Sequence, residues 1–277
     1  MVQQLPAGYV FDPEDPRAPS EEEWEQMSPD ERARVVAMLP PDMPLDMLPN
    51  EGDRHRQAKR GVLEALEGFF RLTGRRIYLS SELAVFYPRE RRFAPDVLAV
   101  TDVEPHERTS WVVADEGKGL DFVLEVHVAG NRTKDEKTNV ERYARLGIQE
   151  YFYFDRARVR LAGYRLAPGK AAYERLVPQS GRFASAVLGL DLALDGSRLR
   201  FFAGNAPLED AGEIISRLGS MLDGVITTQE EAERLAEDLA GRLEESDRLL
   251  EEEQLRREES DRQLAEARAE IERLKKG

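Results

Sequence analysis

The chain contains no cysteine. That excludes disulfides, thiolate metal sites, zinc fingers and cysteine nucleophiles, and it fits a reducing compartment. No stretch approaches the roughly 18 consecutive apolar residues of a transmembrane helix. The N-terminal run MVQQLPAGYVFDPEDP lacks both the basic start and the apolar segment of a signal peptide. A cytoplasmic protein without a membrane partner is the expectation. Positive charge is also in deficit: the net charge is -14 and the sequence pI about 4.9. Such a balance argues against a constitutive, non-specific nucleic-acid coat protein.

What is present is a chain of 277 residues, 41% hydrophobic and 34% charged. That is enough apolar material for a real core and enough length for more than one structural unit. The charge is uneven. Residues 1–53 carry 3 basic and 13 acidic side chains, and residues 225–277 carry 10 and 17. Residues 54–224 carry 27 and 24, a mild positive excess. The acidity therefore belongs to the flanks, and the middle remains compatible with a polyanionic substrate.

Residues 1–50 read as an acidic, proline-containing extension with one short helix. Ser28-Pro29-Asp30-Glu31 sets a cap, a first-turn proline and a capping-box glutamate in order. From Asp53 to Leu72 the spacing is helical, with Val62, Leu63, Leu66, Phe69 and Phe70 as a stripe and Gly74 as its stop. The period then shortens. RRIYLSSELAVFY, FAPDVLAV, DFVLEVHV and EYFYFD read as strands, with a helix between the last two from Thr133 to Leu146. RVRLAGYRL, AAYERLVP and FASAVLGLDLAL read as antiparallel strands. Residues 51–205 thus form an α/β domain, and residues 206–228 a linker or helix.

Residues 229–277 are of another kind. Leu243, Leu250, Arg257, Leu264 and Ile271 recur every seven residues. Leu239, Ser246, Glu253, Ser260, Ala267 and Leu274 form the offset series, so together they are the a and d positions of a coiled coil. This implies a homo-oligomer, most simply a dimer, or a partner protein held through the same seam.

Two carboxylates stand out in the α/β domain. Asp96 follows Pro95 at a strand entry. Glu125 lies within the apolar run Phe-Val-Leu-Glu-Val-His-Val, where a buried charge needs a partner or a metal. Either Glu125 pairs with a core arginine, or the two carboxylates converge from neighbouring strands as hard ligands for Mg²⁺ or Mn²⁺. Glu82, in the polar break Ser80-Ser81-Glu82, is a third acidic candidate. Lys137, in the first turns of the next helix, could steady developing negative charge. His127 is either a packed residue or a group that orients water. His55 is structural or peripheral, and the arginines at 89–92 form either a solvated turn or a phosphate contact.

The order Pro95-Asp96-Val97, Glu125-Val126 and Asp135-Glu136-Lys137 resembles the PD-(D/E)-x-K nuclease superfamily. Adding His55 on the first helix, Tyr143, and the run Gly147-Ile148-Gln149-Glu150-Tyr151-Phe152-Tyr153-Phe154-Asp155, the chain is similar to the bacterial Uma-type family of restriction-endonuclease-like proteins. The resemblance covers about residues 50–200. It implies a restriction-endonuclease-like core, a central mixed β-sheet flanked by helices, here with a C-terminal helical coiled coil. It also implies phosphodiester hydrolysis, of DNA, with Mg²⁺ or Mn²⁺ held by Asp96 and Glu125 and the Val126 carbonyl as a third ligand. Lys137 would then take the place of the superfamily lysine, because residue 127 is histidine where that lysine would stand. The rival expectation is a catalytically degenerate nuclease-like scaffold that acts through its coiled coil.

Overall fold

A computed structural model describes residues 8–41, 53–127 and 134–276, with the side chains of 53–55, 134–135 and 274–276 outside the description. Two short helices open the described chain: α1 (Glu21–Glu25) and α2 (Pro29–Met38). Both start with capping boxes, Ser20 with Glu23 and Ser28 with Glu31, which satisfy backbone N–H groups that a helix start leaves unpaired. Trp24, Met27, Val35 and Leu39 form a cluster with Phe86 and Val112. The N-terminal segment is thereby packed on the α/β unit.

The long helix α3 (Asp53–Thr73) follows. Next come β1 (Ile77–Ser80), β2 (Ala84–Phe86), β3 (Val97–Thr101), β4 (Ser110–Val112), the single-turn α4 (Val113–Glu116) and β5 (Phe122–His127). A wide π-turn (Lys134–Thr138) leads into α5 (Asn139–Arg145), which ends at Gly147 with φ +77°. Then come β6 (Glu150–Asp155), β7 (Arg160–Leu166), β8 (Tyr173–Arg175), β9 (Phe183–Ser185), β10 (Leu190–Asp195), β11 (Arg198–Ala203) and β12 (Ala206–Pro207). The helix expected from Thr133 is therefore split. Its described first turn is wound wider than α, a feature found mostly as a local bulge and often at functional sites.

The central sheet has six strands in the order β1-β3-β5-β6-β7-β8. Only β5 and β6 run parallel, so the sheet is mixed. Strand alternation sorts its core. Val97, Ala99, Phe122, Leu124, Phe152 and Phe154 face Val62, Leu66 and Phe70 of α3 and the inner residues of the second sheet. Leu98, Val100, Val123, Tyr151 and Tyr153 belong to the other face, with Tyr143 of α5 and Trp111. Both faces are buried, which is why these strands read as continuous apolar runs. Each fully buried Leu or Phe contributes about 1.5–3 kcal/mol.

The second sheet has the order β12-β11-β10-β9. FASAVLGLDLAL is not one strand; it breaks after Ser185 and resumes at Leu190. The cause is a buried carboxylate. Glu150 accepts the Ala186 N–H at 2.8 Å and the Ser185 hydroxyl at 2.5 Å, and it pairs with Arg165 at 2.7 Å. The chain must leave the extended conformation to supply those donors.

The chain divides into two compact units, Met1–Gly212 and Glu213–Gly277. The second lies on α6 (Ala211–Lys276), an uninterrupted helix of 66 residues. At 1.5 Å per residue it is about 100 Å long. Its described side chains in this unit are almost all exposed, including Leu239, Leu243, Leu250, Leu264 and Ile271. No helix of the described residues is long and apolar enough to cross a membrane.

Candidate active site

Strand pairing assembles the site. β1 pairs antiparallel with β3 from Ile77↔Thr101 to Ser80↔Leu98, and β3 pairs antiparallel with β5 through Val97↔Leu124. Two steps beyond Ser80↔Leu98 and one beyond Val97↔Leu124, these registers bring Glu82, Asp96 and Glu125 side by side at one end of three neighbouring strands. Glu82 holds the chain there with φ +55°, a left-handed conformation that a non-glycine residue adopts at some cost. Its N–H donates to the Pro95 carbonyl at 2.9 Å, and the Ser81 hydroxyl donates to the Asp96 carbonyl at 2.7 Å. This pinned break sends the chain out of the central sheet into β2, which pairs in parallel with β4.

Hydrogen bonds tie the two central carboxylates together. The Asp96 N–H donates to Glu125 Oε2 at 3.4 Å, and the Val126 N–H donates to Asp96 Oδ2 at 2.7 Å. Tyr143 of α5 donates its hydroxyl to Glu125 Oε1 at 2.7 Å. Burial, and then the Glu125 charge, raise the Tyr143 pKa well above that of an ordinary phenol. Tyr143 is therefore a fixed donor across the physiological pH range.

The positive charge comes from α3. Lys59 is 3% exposed. Its ammonium is paired with Glu82 and lies 3.6 Å from Asp96 Oδ1. An ammonium this deeply buried requires such partners. Sequence reasoning missed Lys59. The signal was positional: the residue precedes Val62 by three and Leu66 by seven, so it sits on the apolar stripe of its helix, where lysine is almost never buried unless paired.

The other anticipated residues are placed as follows. Lys137 is exposed on the π-turn. His127 ends β5, is buried, and lies beside Tyr153 with ring centroids 6.0 Å apart. Val126 lends its N–H to Asp96; its side chain is core. His55 and Asp135 have side chains outside the described residues. The arginine run is used largely within the chain. Arg91 donates to Asp15 at 2.8 Å, Arg92 donates to the Leu39 carbonyl and packs over Phe86, and Glu90, just before them, is buried against Arg142 and Arg145. Arg91 and Arg92 thus fasten the N-terminal segment, while Arg89 remains 77% exposed beside Glu22.

Among the described residues, no three or more acidic or histidine side chains converge tightly enough to form a ready metal-binding group. The arrangement is a linked carboxylate pair, a third carboxylate one strand away, and a lysine between the two.

A family model described as "Uma2: Putative restriction endonuclease" matches residues 22–196. The chain belongs to the Uma2 family. The match takes in Glu82, Asp96, Glu125, Lys137 and the Lys59 helix, so every residue of the site lies in the Uma2 region; α6 lies beyond it. Among solved structures, the chain is similar to a "putative nuclease belonging to DUF820 from Anabaena variabilis ATCC 29413". That likeness has a TM-score of 0.40 at 13% identity, over 51% of this chain and 76% of that one. Among curated proteins no match is found.

Proposed function

We propose that this Uma2 protein is a metal-dependent endonuclease that hydrolyses phosphodiester bonds in DNA. The observation that carries the reading is the convergence of Asp96 and Glu125 from adjacent strands, linked through the Asp96 and Val126 N–H groups and accompanied by the buried Lys59. Two carboxylates are the donor set Mg²⁺ accepts, since it is bound through one or two such groups and keeps waters that a phosphate can displace. Asp96 is 15% exposed and Glu125 is half-buried, so both can reach an ion from solvent. Asp96 and Glu125 would hold Mg²⁺ or Mn²⁺, with Glu82 and the Val126 carbonyl as further oxygen ligands. The ion, when bound, lowers the pKa of its water and polarises the phosphate.

The chain's own groups do the rest. The Val126 N–H and the Tyr143 hydroxyl orient the two carboxylates. Lys59 balances the charge of Glu82 and Asp96 and keeps the three acidic groups together. Lys137, exposed at the start of the next helix, meets the substrate and offsets negative charge that develops on it. His127 packs against Tyr153 and supports the end of β5. The mild positive excess of residues 54–224 suits a polyanion better than the whole-chain charge does.

The test is cleavage of supercoiled plasmid, single-stranded DNA and RNA with Mg²⁺ or Mn²⁺, beside Glu125→Gln and Asp96→Asn. Cleavage of DNA that both variants abolish is the expected result. No cleavage of any substrate, and no Mg²⁺ or Mn²⁺ binding, would overturn it. A second reading, a degenerate scaffold acting through its coiled coil, is favoured by one observation: Lys59 places a cation against Glu82 and Asp96, where an active site would hold a metal. In either reading α6 pairs through its heptad seam.

A further inference from the structure

The seam of α6 is longer than the last fifty residues. Extending the heptads of Leu239 and Leu243 backwards places Ile215, Leu222, Gln229 and Ala236 at a, and Leu218, Val225 and Ala232 at d. The helix is continuous throughout. Ile215, Leu218, Leu222 and Val225 are each 55% exposed or more. An apolar stripe of this length has to be covered by something.

We propose that α6 pairs with α6 of a second copy, parallel and in register, from Ile215 to Ile271. The charges flanking the seam choose this occupant and this direction. In a parallel pair each g residue faces the e residue five positions on in the partner, and these contacts set partner choice and orientation. Arg242 at g then meets Asp247 at e, and Arg256 meets Asp261. Each contact occurs twice by symmetry, giving four opposite-sign pairs. Among the described residues no such g–e pair is like-charged. An antiparallel copy instead sets e against e and g against g. Overlapped along the full helix, that arrangement forms no opposite-sign pair in either series. A shorter antiparallel overlap leaves Ile215 to Val225 in water.

The polar middle of the seam fits the same arrangement. Glu253 at d and Arg257 at a are paired within one helix at 2.8 Å. In a parallel, in-register dimer Glu253 lies opposite its own counterpart at the d layer and Arg257 opposite its own at the next a layer, and the two intrahelical Glu253–Arg257 pairs offset these like-charge contacts. Polar groups at these layers lower stability but fix register and strand number. The two chains enter the seam at the same end.

This inference rests on the reading that α6 self-associates, and the experiment separates the two. The full-length chain has no cysteine, so Ser260→Cys gives a single thiol at a d position. In the parallel pair the two thiols meet and oxidation yields a covalent dimer. In the antiparallel pair with full overlap, residue 260 of each chain lies about 45 Å from its counterpart, far beyond the reach of a disulfide. Light scattering on the unmodified chain reports the mass. A dimer whose Ser260→Cys form cross-links efficiently is the expected result. A dimer that does not cross-link overturns the parallel register but leaves self-association standing; a monomer overturns both. Arg256→Asp should weaken the dimer about three- to tenfold, and adding Asp261→Arg should restore it. A double variant as weak as the single one would overturn the proposed pairing.

Discussion

Two carboxylate clusters sit at opposite ends of the same strands, and they are finished differently. At one end Glu150 is 1% exposed, and its oxygens take Arg165, the Ser185 hydroxyl and the Ala186 N–H. Asp121 beside it takes the Thr101 N–H and hydroxyl, Lys118 and Gln149. At the other end Asp96 accepts the Val126 N–H and faces Lys59, Glu125 accepts the Asp96 N–H and the Tyr143 hydroxyl, and both stay partly open to solvent. A buried carboxylate surrounded by fixed donors is a structural joint, here between two sheets. A carboxylate held by donors yet reachable by water can still accept a ligand. The difference between the ends lies in solvent access: Glu150 and Asp121 are buried, whereas Asp96 and Glu125 are only partly so.

Matched isosteric changes should break that comparison most sharply. Glu150→Gln should destabilise the α/β unit by about 2–4 kcal/mol, because an amide keeps only one acceptor oxygen and leaves Arg165 without its charge partner. Thermal unfolding should show a midpoint lower by roughly 5–15 °C. Glu125→Gln should do the reverse. It keeps an acceptor for Tyr143, so stability should change by less than about 1 kcal/mol, while cleavage falls at least about 100-fold. Equal melting losses for the two variants would show that both ends are structural.

The two lysines give the next contrast. Lys59→Met should lower cleavage about 10- to 100-fold, because Glu82 and Asp96 lose the cation that holds them together. Lys137→Met should cost less, on the order of tenfold, since in the proposed mechanism its ammonium would meet the substrate from an exposed turn. Steady-state rates at saturating Mn²⁺ measure both. A larger loss for Lys137 would transfer the main electrostatic role to the helix that carries it.

The contrast between the ends was only half legible in the sequence. Glu125 announced itself because it interrupts an apolar strand, and Asp96 because it follows a proline at a strand entry, local irregularities that a single chain displays. Glu150 sat in the same kind of run, but its meaning depends on Ser185 and Ala186, more than thirty residues away, which the sequence presents as mid-strand. Lys59 was hidden because its stripe is read by its apolar members, and its partners lie on two other elements. The coarse plan was visible for the opposite reason: strand alternation, helix period and heptads are local repeats. Pairings across the sheet are not local, and they decide which buried charge is a joint and which is a site.

Tyr143 offers the smallest and cleanest test, because it touches the open end without contributing charge to it. Burial and the adjacent Glu125 raise its pKa in the folded state, while in the unfolded chain it titrates near 10. A raised folded-state pKa gives stability that is complete below the unfolded value and is lost as pH rises above it. Above about pH 10 the unfolded chain releases a proton that the folded chain retains, so Tyr143 alone lowers stability by about 1.4 kcal/mol per pH unit. Tyr87 and Tyr173 are also raised by burial and steepen the same limb. Tyr143→Phe should remove one proton's worth of that slope and lower stability at pH 7 by only about 1 kcal/mol, the net value of one hydrogen bond. Denaturant unfolding from pH 8 to pH 11 measures both quantities. An unchanged alkaline slope would mean that Tyr143 is solvated in the folded protein and does not orient Glu125.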